Sequence, residues 1–235
     1  MKRVFTYLMI ISVMMLTACT QRAGSGNVLT EMRNVGQFNS IIASGDMSLT
    51  ITRSNKCEVK VTADDNIIGR VDVQTRSGIL YIECRRQPEE SNVSLTISMP
   101  DIQNIETQGS VSMNVAEGFE IHDLEMRTAG SGNIDFHGVK SDGIIKILNR
   151  GSGNISLAGS VKTFSCVTRD AGNVFADMLE AESVVAKVSG SGSIFVKTFG
   201  NMNVIVAGTG SVVYSGKPSM ISKYITGSGS VKQRM

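Results

Sequence analysis

The amino-acid sequence predicts an all-β protein coiled into a parallel β-helix, a solenoid with rungs of about 20 residues. Three observations predict it. A Gly followed by Asn or Ser and then a β-branched residue recurs along the second half of the chain. Apolar residues alternate with polar ones on both sides of that Gly. The chain holds 24 Gly but only 3 Pro, which suits many tight corners between short strands and excludes a collagen-like or linker composition.

The repeat runs through Gly132-Asn133-Ile134, Gly153-Asn154-Ile155, Gly172-Asn173-Val174, Gly192-Ser193-Ile194, Gly210-Ser211-Val212 and Gly229-Ser230-Val231. Aligned on the Gly, whole columns are apolar. Upstream stand Leu124, Ile145, Phe164, Val184, Met202 and Ile221, then Met126, Ile147, Cys166, Ala186 and Val204, where Lys223 breaks the rule. Downstream stand the Ile and Val of the repeat, then Phe136, Leu157, Ala176, Val196 and Tyr214. Period two places each column on one face of a strand and excludes a solenoid of paired helices. Two strands alone bury too little to be stable, but stacked rungs pair every backbone group with the rung above and below. Gly is expected at the corner because it adopts positive φ without steric cost.

Asn133, Asn154, Asn173, Ser193, Ser211 and Ser230 then line up as a polar corner ladder, a structural rather than a ligand-binding feature. Towards the N-terminus, Phe38, Ile41, Gly45, Met47 and Leu49 match Ile102, Ile105, Gly109, Val111 and Met113 in spacing, about three periods apart. Residues 28–235 therefore form a single β-helix domain, with degenerate rungs over 28–105 and regular ones over 106–235. An antiparallel β-sandwich competes for 28–105.

The first residues read as processing signal. Lys2 and Arg3 precede an apolar run from Val4 to about Leu16, too short for a permanent membrane span. It ends in Leu16-Thr17-Ala18-Cys19, which resembles the lipobox of bacterial lipoproteins, in which the Cys is lipidated and becomes the new N-terminus. Residues 1–18 are thus a signal peptide, Cys19 the lipidation site, and 19–27 a tether. An exported compartment permits disulfides. Cys57 and Cys84 share strand faces with apolar neighbours and either pair or pack as small hydrophobes; Cys166 is a buried free thiol.

The net charge of +2, with no long Lys/Arg run, is poor support for nucleic-acid binding. No Cys/His cluster suggests a metal, and no cofactor motif is present. His122 and His137 have no matching nucleophile. Asp170, Arg169 and Arg150 fall at one corner on neighbouring rungs, where an exposed salt bridge is the simplest reading. The functional alternatives are a non-enzymatic binding or structural module, and a carbohydrate-active β-helix lyase or hydrolase with an unrecognised site.

With its Gly-Ser-Gly-Asn-Ile rungs over roughly Phe38 to Val231, the chain resembles the putative auto-transporter adhesin, head GIN domain family of Bacteroidota. Gly132-Asn133-Ile134 and Gly153-Asn154-Ile155 carry that resemblance best; Gly45-Asp46-Met47 departs most. It implies a right-handed β-helix-like fold on a cell envelope; with the lipobox, the expected location is the outer membrane, lipid-anchored and facing either periplasm or exterior. No catalytic residues carry over.

Nominally outward positions in the later rungs are apolar: Phe175, Phe195 and Val213 in one column, then Leu148, Val167, Ile205 and Tyr224 in another. Such a stripe marks a contact surface, with a protein, a glycan or a second copy as partner, unless the corners shift inside and outside by one residue or a loop covers it. The last rung, ending at Val231, has little chain left to cap it. One expectation needs no structure. Cys19→Ser should abolish metabolic acyl labelling and release the protein from the membrane fraction; labelled, membrane-bound mutant would contradict the lipobox.

Overall fold

Stacking apolar period-two segments in register forces the strands to run parallel, and a chain that does this repeatedly must coil. The computed structural model describes residues 24–84 and 92–234; the expected signal peptide and lipidation site at Cys19 lie outside the described residues. It is a β-solenoid of about six turns with roughly 20-residue spacing between parallel bridges.

The regular part comprises β7 (Asn104–Val115), β8 (Glu120–Ile121), β9 (Leu124–Gly130), β10 (Ile134–Asn149), β11 (Ile155–Thr168), β12 (Val174–Val188), β13 (Ile194–Val206), β14 (Ser211–Ser215), β15 (Met220–Ile225) and β16 (Ser230–Gln233). Every pairing among these strands is parallel. Ile134, Ile155, Val174, Ile194, Val212 and Val231 pair in unbroken register, and the first five are at most 1% exposed. Leu124, Ile145, Phe164, Val184 and Met202 form a second buried column, and Met126, Ile147, Cys166, Ala186 and Val204 a third. Each side chain so buried contributes roughly 1.5–3 kcal/mol relative to exposure.

A fourth core column is partly polar and escaped the sequence reading: Thr128, Asn149, Thr168, Val188 and Val206 are all buried. Asn149 fits because its amide is bonded. Its Oδ1 accepts from Thr128 Oγ1 at 2.9 Å and from the Gly151 amide at 3.1 Å, and its Nδ2 donates to the Gly153 carbonyl at 3.0 Å. A buried amide with those partners fixes the corner that follows it, where an unpaired one would be costly.

The N-terminal part departs from the simple plan. β2 (Ser40–Arg53) lies beside β7 with Ile41, Gly45, Met47 and Leu49 opposite Ile105, Gly109, Val111 and Met113. The two matching segments are thus adjacent rungs, not rungs three periods apart. The chain between them makes an excursion. β5 (Ile79–Cys84) and β6 (Ser94–Met99) pair parallel with the two halves of β2 on its other edge, so together they form a rung beyond β2. β1 (Val28–Arg33), β3 (Glu58–Asp64) and β4 (Val71–Arg76) are antiparallel to their neighbours. Over 28–105 the structure therefore mixes parallel rungs with antiparallel strands at the N-terminal end, all within one continuous sheet.

The corner glycines are needed for a different reason from the expected one. Positive φ occurs at Gly45 and Gly109, at 125° and 88°, but not at Gly132, Gly153, Gly172, Gly192, Gly210 or Gly229. At Gly153 the constraint is close approach: a Cβ there would overlap the carbonyl oxygen of Gly132 in the rung before. Gly153→Ala should therefore lower stability by about 1–3 kcal/mol, because the fit is backbone against backbone. Ile194→Asp would bury an unpaired carboxylate and cost several kcal/mol, whereas Lys146→Asp, on an exposed position, should cost little. Thermal unfolding of the three variants checks the order, and equal midpoints would overturn the inside/outside assignment.

Candidate functional site

The outward positions of a solenoid are set by the same alternation that fills its core, so its faces are ladders with one residue per rung. The corner ladder is engaged with the backbone. Asn133 Oδ1 accepts the Asn154 amide at 2.9 Å, Asn154 Oδ1 the Asn173 amide at 3.2 Å, and Asn173 Oδ1 the Ser193 amide at 2.9 Å. Asn173 Nδ2 also donates to Asn154 Oδ1, and the hydroxyls of Ser211 and Ser230 lie 3.0 Å apart. These groups satisfy backbone donors that the corner would otherwise leave open.

On the leg after the corner, Phe175, Phe195 and Val213 occupy successive rungs in register. Phe175 is 37% exposed, while Phe195 and Val213 are half-buried. The two rings stack, with centroids 5.1 Å apart and planes 14° from parallel. A bulge between Ala176 and Glu180 carries Met178, 72% exposed, out beside them. The groove so formed, of roughly 400 Å³, is lined by Asp177, Met178, Phe195, Val213, Tyr214 and Arg234 among others. Arg234 Nη1 lies 3.4 Å from Asp177 Oδ2 at its rim.

The second set stands on the other leg and is less continuous. Leu148, Val167 and Ile205 are half-buried and Tyr224 is exposed, with exposed Lys187 interrupting them. The structure does not merge Ile205 and Tyr224 with the Phe175 ladder. Sequence spacing could assign residues to columns but not columns to faces.

Side chains of the last rung, β15 and β16, cover the rung before it. Lys223, the residue that breaks its apolar column, holds its ammonium 5.1 Å from the Tyr214 ring centroid. Gln233 accepts from the Tyr214 hydroxyl at 3.5 Å and donates to the Gly216 carbonyl at 3.0 Å. Two core columns, those of Val204 and Tyr214, thus end in polar side chains, Lys223 and Gln233, while Ile221, Ile225 and Val231 end the others.

Elsewhere, His122 Nδ1 lies 2.7 Å from Asp142 Oδ1 on an exposed surface. That contact raises the imidazole pKa and lowers the carboxyl pKa from their ordinary values. The nearby Ser141 hydroxyl donates to the His122 carbonyl, so it is turned to the backbone and not to the ring. No ion pair joins Asp170 to Arg150 or Arg169 among the described residues. No group of three His, Cys, Asp or Glu side chains there could hold a metal ion. Cys57 is a free thiol lying against Gln37 and the backbone of Phe38, so it does not bridge to Cys84. Burial pushes the Cys166 thiol far above its ordinary pKa, which leaves it unreactive.

Solved structures share this architecture. An adhesin-named protein of Bacteroides fragilis ("putative adhesin") superposes with a TM-score of 0.85 at 24% identity, over 90% of this chain and 99% of the other. A "putative adhesin" of Parabacteroides distasonis gives 0.73 at 20%, over 90% and 99%. A "putative lipid binding protein" of the same organism gives 0.68 at 22%, over 91% and 99%. At these identities the likeness is one of fold. No curated protein matches the chain. The family described as "putative auto-transporter adhesin, head GIN domain" matches residues 37–218, and the chain belongs to that family.

Proposed function

We propose that the protein is a non-enzymatic, adhesin-like module of the cell envelope, held by lipid on Cys19 at the outer membrane. It engages a partner through the Phe175–Phe195–Val213 ladder. The observation that carries the reading is the stacked Phe175–Phe195 pair, half-buried at Phe195 and exposed at Phe175, beside Met178 and an open groove. An apolar strip on a stiff β-scaffold is already ordered, so a partner meets little entropic cost in ordering it. The family description and the adhesin names of the similar structures agree with surface contact. The polysaccharide-cleaving alternative has no support from the exposed His122–Asp142 pair, which lacks a neighbouring nucleophile.

The ladder serves binding to a protein or glycan, or pairing with a second copy. Beads coated with the exported protein should adhere to cells, and Phe195→Lys, which places a charge in the strip, should reduce adhesion at least about tenfold. Light scattering across a dilution series reads the self-association arm in parallel. Unchanged adhesion and unchanged mass in a folded Phe195→Lys protein would remove the ladder from the reading.

A further inference from the structure

Charge is distributed unevenly along the solenoid. All Asp and Glu residues precede residue 183, and Lys187, Lys197, Lys217, Lys223, Lys232 and Arg234 follow it with no acid among them. Because each rung adds one level to the stack, this segment becomes one physical end: most of β12's second leg, then β13 to β16. Lys197 and Arg234 reach back to Glu180 and Asp177 on an earlier rung, at 2.6 and 3.4 Å. Lys187, Lys217, Lys223 and Lys232 are exposed and have no ion-pair partner among the described residues.

The same end is apolar where a soluble protein would normally be polar. In β15, Met220 is 67% exposed, Tyr224 64% and Ile225 45%. Among the described residues, β15 pairs only with β13 and β16 only with β14, so both strands of the last rung keep an open outer edge there. Lys217 precedes Met220 by three residues, Lys223 adjoins Tyr224 in sequence, and Lys232 lies in β16.

We propose that this terminal rung is a docking surface for an anionic lipid bilayer. Lysines near an anionic membrane surface are each attracted by about 1 kcal/mol. Tyr favours the headgroup level, where its ring is buried and its hydroxyl stays wet. Met220 and Ile225 gain from the acyl boundary, and the open strand edge finds water and headgroup oxygens there, not bare hydrocarbon. Other occupants fit less well. A soluble polyanion would satisfy the lysines and leave Met220 and Ile225 in water. Two copies meeting end to end about a two-fold axis would set Lys223 and Lys232 against their own like charges with no acid between them. The site is separate from the Phe175–Phe195 ladder, so either can fail without the other.

The chain contains no Trp, so Tyr224→Trp places a single fluorophore on the tip of the full-length protein. Its emission reports the tip alone and is indifferent to how the N-terminus is held. Vesicles of phosphatidylcholine with phosphatidylglycerol should shift that emission to the blue, and brominated acyl chains should quench it. Vesicles of phosphatidylcholine alone should do neither. Adding Lys217→Glu and Lys232→Glu should abolish the shift, while Lys140→Glu with Lys146→Glu, the same charge change on a distant rung, should leave it intact. No shift with anionic vesicles, an equal shift with neutral ones, or the same shift with a soluble acidic polysaccharide would each overturn the proposal.

Discussion

The inter-rung backbone hydrogen bond is the constraint on which the rest depends. Parallel strands spaced about 4.8 Å apart must repeat that spacing at every corner as well as along every leg. The legs meet it easily, since Ile, Val and Leu stack on their own kind. The corners meet it only because the Gly132 to Gly229 series lets one backbone rest on the next, with no Cβ between. Asn133, Asn154 and Asn173 then accept the amides that the turn leaves open.

A stack built this way has two vulnerable ends, and the protein treats them differently. At the N-terminal end, β1, β3 and β4 run antiparallel to their neighbours and close the parallel system. At the C-terminal end the described strands finish in parallel with β15 and β16. There two of the core columns turn polar, with Lys223 over Tyr214 and Gln233 bridging Tyr214 to Gly216. This protects the interior but leaves strand edges unpaired, a condition that proteins usually blunt with charge. The lysines of the last rung do so, and their combination with Met220, Tyr224 and Ile225 gives that end its distinct chemistry.

The proposed function rests on a ladder. A side chain repeated at one column position becomes a line of contacts along the axis, as Phe175, Phe195 and Val213 do. The core beneath them is filled by Val174, Ala176, Ile194 and Val196, all buried, so the ladder rests on a packed base. Surface contact thus needs no catalytic geometry, in agreement with membership of an adhesin-named family.

The sequence by itself determined the fold class, the rung period and the inward columns, because period-two alternation and a repeated Gly are local properties of the chain. It also marked Lys223 as the place where the pattern ends. Only the tertiary structure decided which segments become neighbours. β2 sits beside β7 because the chain between them leaves and supplies β5 and β6 to the opposite edge, a choice of pairing that no local spacing encodes. Asn149 fits a core only with its partners at Thr128, Gly151 and Gly153 in place, and the fold alone brings them together. The charged end was equally hidden. Its lysines stand singly along 53 residues of sequence, with no run to notice, and coiling the chain gathers them at one end of the molecule.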